Sequence, residues 1–293
     1  MLRLALSTHA ETFERIREPL ADRGIEVGHL QAKQRAIHLT DRERTGHEPA
    51  DRFDVGFVFP GRLMEGTAIN ALHGLPWVNN REDVLTSRNK GGVIAALHAA
   101  DIPVPETVMV SNPVSESVVI KAAGELSFPV IVKPNSATRG IGVAKATDMD
   151  SLLGIVDYLN LVHDYRATGD KSYLIQEYLP DARDYRVMVV DGECVGGVER
   201  RLPEELAEGR WKHNVHRGAE ATGIEVPAEH RRLAEGVAKA LGISYLGVDL
   251  LETDRRLVVN ETNARPTVDE STKYDDDFYD RLAELINRTA ADT

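Results

Sequence analysis

The sequence predicts an α/β protein: a small N-terminal domain on a doubly wound, mostly parallel sheet, followed by an α+β lid and further hairpin-paired strands. Three observations lead there. Over residues 1–85 short apolar runs alternate with helical stretches, the pattern of a parallel sheet covered by helices. Asp191-Gly192 separates two strand-like runs as a tight turn would. The polar stretch 253–256 divides two more apolar runs in the same way.

Taken in order, residues 2–6 read as a strand, 12–22 as a helix ending at Gly24, and 54–59 and 76–79 as a second and a third strand. Residues 40–52 show no apolar periodicity and read as loop or polar edge. Residues 87–100 form a predicted helix with Ser87 as its N-cap, stopped by Ile102-Pro103-Val104-Pro105, where the chain must extend. Strands are expected at 106–110 and 130–133 around a helix at 114–124, then a glycine-bearing loop at 134–142, a strand at 143–144 and a helix at 149–161. A strand at 173–178 precedes the hairpin 184–190/193–199. After a helix at 228–241 come strands 245–251 and 257–263 and a closing helix at 278–288. Three parts follow: 1–85, a central lid at 86–178, and a C-terminal subdomain at 179–293.

Composition narrows the function classes. The chain of 293 residues carries a net charge of −12, which disfavours non-specific attraction to nucleic acid or an anionic membrane. No apolar run approaches the roughly 18 residues that would span a bilayer, and the N-terminus does not read as a signal peptide. The single cysteine, Cys194, leaves no intrachain disulfide and no cysteine-based zinc site. A cytoplasmic location is therefore expected. Arginine outnumbers lysine 26 to 9; an acidic, arginine-rich surface resembles that of proteins from salt-accumulating organisms, and a GC-rich genome gives the same excess.

Several stretches carry candidate chemistry. Asp249 and Glu261 lie equally far from Arg255 and should face each other across an antiparallel pair. Asn263, two residues beyond Glu261, shares that face. Three oxygen donors without His or Cys suit Mg²⁺ or Mn²⁺; a solvated hairpin face is the other reading. KPNSATRGIGV at 133–143 ends a strand on Lys133 and follows it with a small-residue loop bearing Gly140 and Gly142, able to aim backbone N–H groups at phosphate or simply to join two strands. YLIQEYL at 173–179 could offer backbone groups to an adenine edge, with Asp184 beyond it for ribose hydroxyls. The basic clusters 199–201 and 212–218 are either surface charge or an anion site built from two loops. Arg265, two residues past Asn263 and held by Pro266, either grips a substrate carboxylate or pairs with Asp269 or Glu270.

The colinear order of these motifs resembles the ATP-grasp superfamily, and most closely its RimK-type branch of glutamate ligases. The resemblance covers about residues 54–270 and rests on SRNK at 87–90, GIGV at 140–143, VERR at 198–201, NVHRG at 214–218 and GVDLL at 247–251. It implies that Lys90, Lys133 and the Gly140 loop contact nucleotide phosphates, that Glu177 and Tyr178 hold adenine and Asp184 the ribose, and that Lys212, His213 and Asn214 line the nucleotide site. Asp249, Glu261 and Asn263 match the metal ligands, for two Mg²⁺ or Mn²⁺ ions, and Arg201 and Arg217 the arginines near the reacting phosphate and carboxylate. Two departures stand out. The stretch from Glu177 to Asp184 is about two residues shorter than in the glutamate ligases, and Ala264-Arg265-Pro266-Thr267 replaces a Ser-Pro-Gly turn near the amino-acid site.

The implied reaction is ATP-dependent condensation of a carboxylate with an amine, one of them an amino acid such as L-glutamate, through an acyl phosphate. A homo-oligomer is the expected assembly. A synapsin-like, non-catalytic ATP-binding protein and a plain carboxylate kinase are the alternatives; neither needs the full set of carboxylates, Asn and arginines together with an amine site.

Overall fold

The computed structural model describes residues 1–7, 11–30, 36–40, 53–137, 140–162, 170–203, 205 and 218–292. Strands β1 (Leu2–Leu6), β2 (Ile25–His29), β3 (Val55–Phe57) and β4 (Trp77–Val78) form an all-parallel sheet in the order β2-β1-β3-β4. Helix α1 (Glu11–Ala21) buries Ile16 and Leu20 one turn apart on it. Helix α2 (Leu63–His73) ends on Gly74 in the left-handed conformation. Both β2 and α2 were absent from the sequence reading. The α2 run, LMEGTAINALH, buries only Gly66 and Ile69, so its apolar stripe is weak.

The predicted helix 87–100 is two helices. Asn80 caps α3 (Arg81–Arg88) through a capping box with Asp83, and Asn89 caps α4 (Lys90–Ala99) by accepting from Gly92 N. Ser87 is thus no N-cap. It is buried, with its Oγ 3.1 Å from Thr262 Oγ1 and accepting from Ala264 N at 3.0 Å. The kink at Asn89 lets α3 face the N-terminal sheet side while α4 packs Val93 and Leu97 into the C-terminal core.

A second sheet, order β5-β8-β6-β7, joins β5 (Thr107–Ser111), β6 (Val130–Pro134), β7 (Ala144–Ala146) and β8 (Ser172–Glu177), all antiparallel. Helices α5 (Glu116–Ala123) and α6 (Met149–Val162) cover it. The third sheet, order β11-β10-β9-β12-β13, comprises β9 (Arg183–Val190), β10 (Glu193–Arg201), β11 (Glu220–Gly223), β12 (Tyr245–Glu252) and β13 (Leu257–Asn263). Cys194 is buried in its core. Helix α7 (Ala228–Leu241) lays His230, Ala234, Val237 and Ala238 on it at helical spacing. Helix α8 (Phe278–Ala291) bridges, because Phe278, Leu282 and Ile286 share one core with Leu4, Leu6 and Phe57 of the first sheet and Met188 and Val190 of the third. Buried Asn79 adds a polar tie: its Oδ1 accepts from Tyr245 N at 3.1 Å and its Nδ2 donates to Ala264 O at 2.6 Å. Among the described residues no helix is long and apolar enough to cross a membrane.

Candidate active site

The second and third sheets face each other across a cavity of about 250 Å³, close to the lower end of small-molecule sites. Lys133, Gln176, Glu177 and Tyr178 line it from one side, and Asp184, Arg200, Asp249, Asn260 and Glu261 from the other, with Gly140 at the rim. Seven predicted site residues therefore meet there: Lys133, Gly140, Glu177, Tyr178, Asp184, Asp249 and Glu261.

Asp249 and Glu261 do stand opposite each other. The pairing arises differently from the expectation: the turn places Glu252 opposite Leu257, and a bulge at Asn260 then shifts the ladder by one residue. Without it Asn260, and not Glu261, would face Asp249. The neutralisation of Asp249 also differs. Arg186 binds it in a fork, Nε to Oδ1 at 2.7 Å and Nη2 to Oδ2 at 2.9 Å, and Arg200 Nη2 lies 3.1 Å from Oδ2. Burial opposes ionisation of Asp249, but the two guanidinium groups outweigh it and hold the carboxyl below the usual range. On Asp184 burial wins over Arg200 and pushes the carboxyl up.

Lys133, at the end of β6, is buried and 3.4 Å from Asn260 Oδ1. Burial pushes its ammonium down to about 8, against the pull of Glu261. After it the loop turns back through Gly142, whose positive φ and 2.7 Å Cβ clearance to Pro134 Cγ exclude a side chain. Glu177 has its carboxylate engaged twice, by Glu106 N at 2.7 Å and by Arg256. Tyr178 carries Lys145 Nζ 4.6 Å from its ring centroid.

Three predicted residues lie outside the cavity lining. Lys90 is buried, donates to Ala137 O and sits 3.1 Å from Glu261 Oε1, backing that carboxylate. Asn263 accepts from Arg265 N through Oδ1 at 2.9 Å. Arg201, its side chain 71 % exposed, pairs with Glu199 on the far face of β10; its neighbour Arg200 is the one that turns inward. A bulge between Cys194 and Gly196 decides this, since it sets Arg200 opposite Asp184. Arg217, Lys212, His213 and Asn214 fall outside the described residues. Arg186 was missed, though Asp184 and Arg186 at a spacing of two in an apolar strand place both charges on one face.

The donor set fits a hard divalent cation. Among the described residues Asp249 Oδ1 holds a single hydrogen bond and Glu261 pairs with Lys90 through one oxygen, so both carboxylates, which line the cavity, keep acceptor capacity.

A family model described as the RimK-like ATP-grasp domain matches residues 87–286. A probable alpha-L-glutamate ligase from Methanococcoides burtonii is 28% identical over 273 residues, 90% of this chain and 86% of its own length. One from Klebsiella pneumoniae is 30% identical over 216 residues, 73% of this chain and 68% of its own. Among solved structures, the RimK-domain ATP-grasp protein of Sphaerobacter thermophilus superposes with a TM-score of 0.68 at 21% identity, covering 99% of this chain and 98% of that one. D-alanine–D-alanine ligase from Bacillus anthracis gives a TM-score of 0.66 at 18% identity, covering 100% and 98%. With two sheets clasping a cavity of this charge pattern and a family match over most of its length, the chain belongs to the RimK-like ATP-grasp family and is an ATP-grasp ligase, an enzyme that forms carbon–nitrogen bonds.

Proposed function

We propose that the protein joins a carboxylate to the amine of an amino acid, L-glutamate being the first candidate from the names of its relatives, through an acyl-phosphate intermediate. The observation that carries this reading is the cavity between the two sheets, with Lys133 on one wall and the Asp249–Glu261 pair on the other. Lys133, protonated below about pH 8, supplies a fixed positive charge for a phosphate chain. The end of β8 would take adenine through the main chain at Glu177, because its carboxylate is already engaged, with Tyr178 alongside. Asp184 would accept from ribose hydroxyls. Asp249 and Glu261, with Asn263 at the strand end, would hold Mg²⁺ or Mn²⁺, one ion or two, which would offset charge on the β- and γ-phosphates.

In the first step a carboxylate oxygen attacks the γ-phosphorus, the bond to the β,γ-bridging oxygen breaks, and ADP leaves with the electron pair. In the second the amine nitrogen attacks the acyl carbon, the carbon–oxygen bond to phosphate breaks, and the amine proton passes to the departing phosphate or to water. Protein chemistry here is positioning and charge neutralisation. Arg186 and Arg200 fix Asp249 rather than touch substrate, and Arg217 takes the acyl-phosphate role.

An ¹⁸O-labelled carboxylate substrate tests the scheme. One labelled oxygen should appear in inorganic phosphate, with ADP formed over many turnovers only when both carboxylate and amine are supplied. Label in AMP would overturn it.

A further inference from the structure

The lid sheet ends on an unguarded edge. Its order β5-β8-β6-β7 gives β5 (Thr107–Ser111) a neighbour on one side only. Glu177 N donates to Glu106 O at 2.9 Å and Asn112 N donates to Lys171 O at 3.2 Å. Between those two bonds, alternate residues of the antiparallel pair face the partner strand. Val108 and Val110 therefore turn their N–H and C=O groups to β8, and Thr107, Met109 and Ser111 turn theirs outward.

Unpaired backbone of this kind templates pairing with another chain, and soluble proteins blunt it with charges, proline or very short strands. The other edges follow that rule. β2 carries exposed Glu26, β4 has two residues, β7 has three and carries Lys145, and β11 opens on Glu220. On β13, Val259 N is already bonded to Pro103 O. The β5 sequence, TVMVS, holds neither a charge nor a proline.

Apolar surface gathers along this edge on both faces of the sheet. Met109 is 54 % exposed on the face towards α4, where a Cβ on Gly91 would lie 3.0 Å from its Sδ. On the opposite face α5 packs over β5 and buries Val119 in the lid core, yet leaves Val118 and Ile120 47 % and 41 % exposed. Exposed Glu116 and Lys121 flank that pair, and among the described residues neither enters an ion pair.

These groups are symmetric about one point. A two-fold axis beside Met109 sets Thr107 opposite Ser111 of a second copy and Met109 opposite its own equivalent, so each outward donor meets an outward acceptor. Because α5 runs back along β5, the same axis lays the two α5 helices side by side and antiparallel. Val118 then faces Ile120, and Glu116 faces Lys121, across the axis. A foreign strand would satisfy the backbone alone and leave this helix face bare. The net charge of −12 opposes association elsewhere on the surface, so the uncharged strand is where two copies approach at least cost. We propose that β5 and α5 form a two-fold interface through which a second copy of this chain joins its lid sheet to the first. Lys133 and Glu177 of both copies then belong to one continuous sheet.

Sedimentation velocity of the full chain, from about 1 to 100 µM, tests the interface. The wild type should form a dimer, or an even multiple of one, with a dissociation constant of roughly micromolar or below. Met109→Pro removes the outward N–H at the axis while sparing the bonds to β8, and Met109→Lys sets two like charges there. Each should weaken association about tenfold or more. Lys121→Glu should weaken it about fivefold, and adding Glu116→Lys should restore it, because reversal on both helices regenerates the pairs. That rescue requires two copies of α5 to face each other. Unchanged ATP affinity in each variant reports that the fold persists. A wild-type monomer at about 100 µM, variants that associate as tightly as wild type, or a charge reversal without rescue would overturn the inference.

Discussion

The cavity floor and the edge at Gly61, where the loop after β3 meets the stretch after β13, are both built from arginines, and they treat charge in opposite ways. On the floor every guanidinium has a carboxylate: Arg186 holds Asp249, and Arg200 is shared between Asp184 and Asp249. At the edge Arg88 meets only the Gly61 carbonyl among the described residues, and Arg265 lies on the same glycine. Matched charges hold geometry, because breaking a buried pair is expensive. At Gly61 the guanidinium groups instead hold loop ends, Arg88 donating to Gly61 O and Arg265 to Ser7 Oγ. The floor fixes carboxylates, and the edge ties separate loops together.

Asp249→Asn should break this contrast most severely. It leaves Arg186 and Arg200 buried against a neutral amide, so stability should fall by about 3–5 kcal/mol while turnover falls at least about 100-fold. Glu261→Gln sharpens the same point. Glu261 ion-pairs with Lys90 and keeps 33 % of its side chain exposed, so turnover should drop comparably with a smaller loss of stability than in Asp249→Asn. Equal melting curves for the two variants would show that the floor does not depend on its paired charges.

Lys133 gives the next effect. Its ammonium is pushed from 10.5 down to about 8 by burial, so it is charged below that value and neutral above it. ATP affinity should weaken by up to about tenfold per unit as pH rises above 8, and Lys133→Arg, which stays charged, should flatten the profile. Unfolding is separable from this. Between about 8 and 10.5 the unfolded chain holds a proton that the folded one has released, so Lys133 makes stability rise with pH across that window. A wild-type affinity profile flat from pH 7 to 9.5 would remove Lys133 from phosphate binding.

Arg201→Ala should do least. Its exposed pairing with Glu199 lies away from the cavity, and such pairs contribute little; kcat and KM should stay within about twofold of wild type. A large kcat loss would return Arg201 to the reacting groups.

Much of this site was legible in the residues, for reasons that can be named. Local periodicity and turn chemistry placed helix Ala228–Leu241 and strand Leu257–Asn263 at their observed bounds. Helix 87–100 was misread because Ser87 offers good capping chemistry, while the Asn80 capping box and the kink at Asn89 divide the segment. The choice between Arg200 and Arg201 was harder. Adjacent strand residues point to opposite faces, and a bulge between Cys194 and Gly196 selects the inward one. In a regular ladder Glu199 would stand opposite Asp184, just as Asn260 would stand opposite Asp249 without the bulge in β13.

By itself, then, the sequence determined the order of the elements, the oxygen and ammonium donors near the strand ends, and the colinear motifs that mark the family, because all of these are properties of neighbours along the chain. Tertiary structure decided which arginine turns inward, that Arg186 and Arg200 neutralise Asp249, and that Arg88 and Arg265 meet at Gly61. Those outcomes depend on ladder register and on the docking of segments as far apart as Gly61 and Arg265. A single inserted residue in a strand reverses which side chains share a face, and no local pattern records where a distant glycine leaves room for a guanidinium.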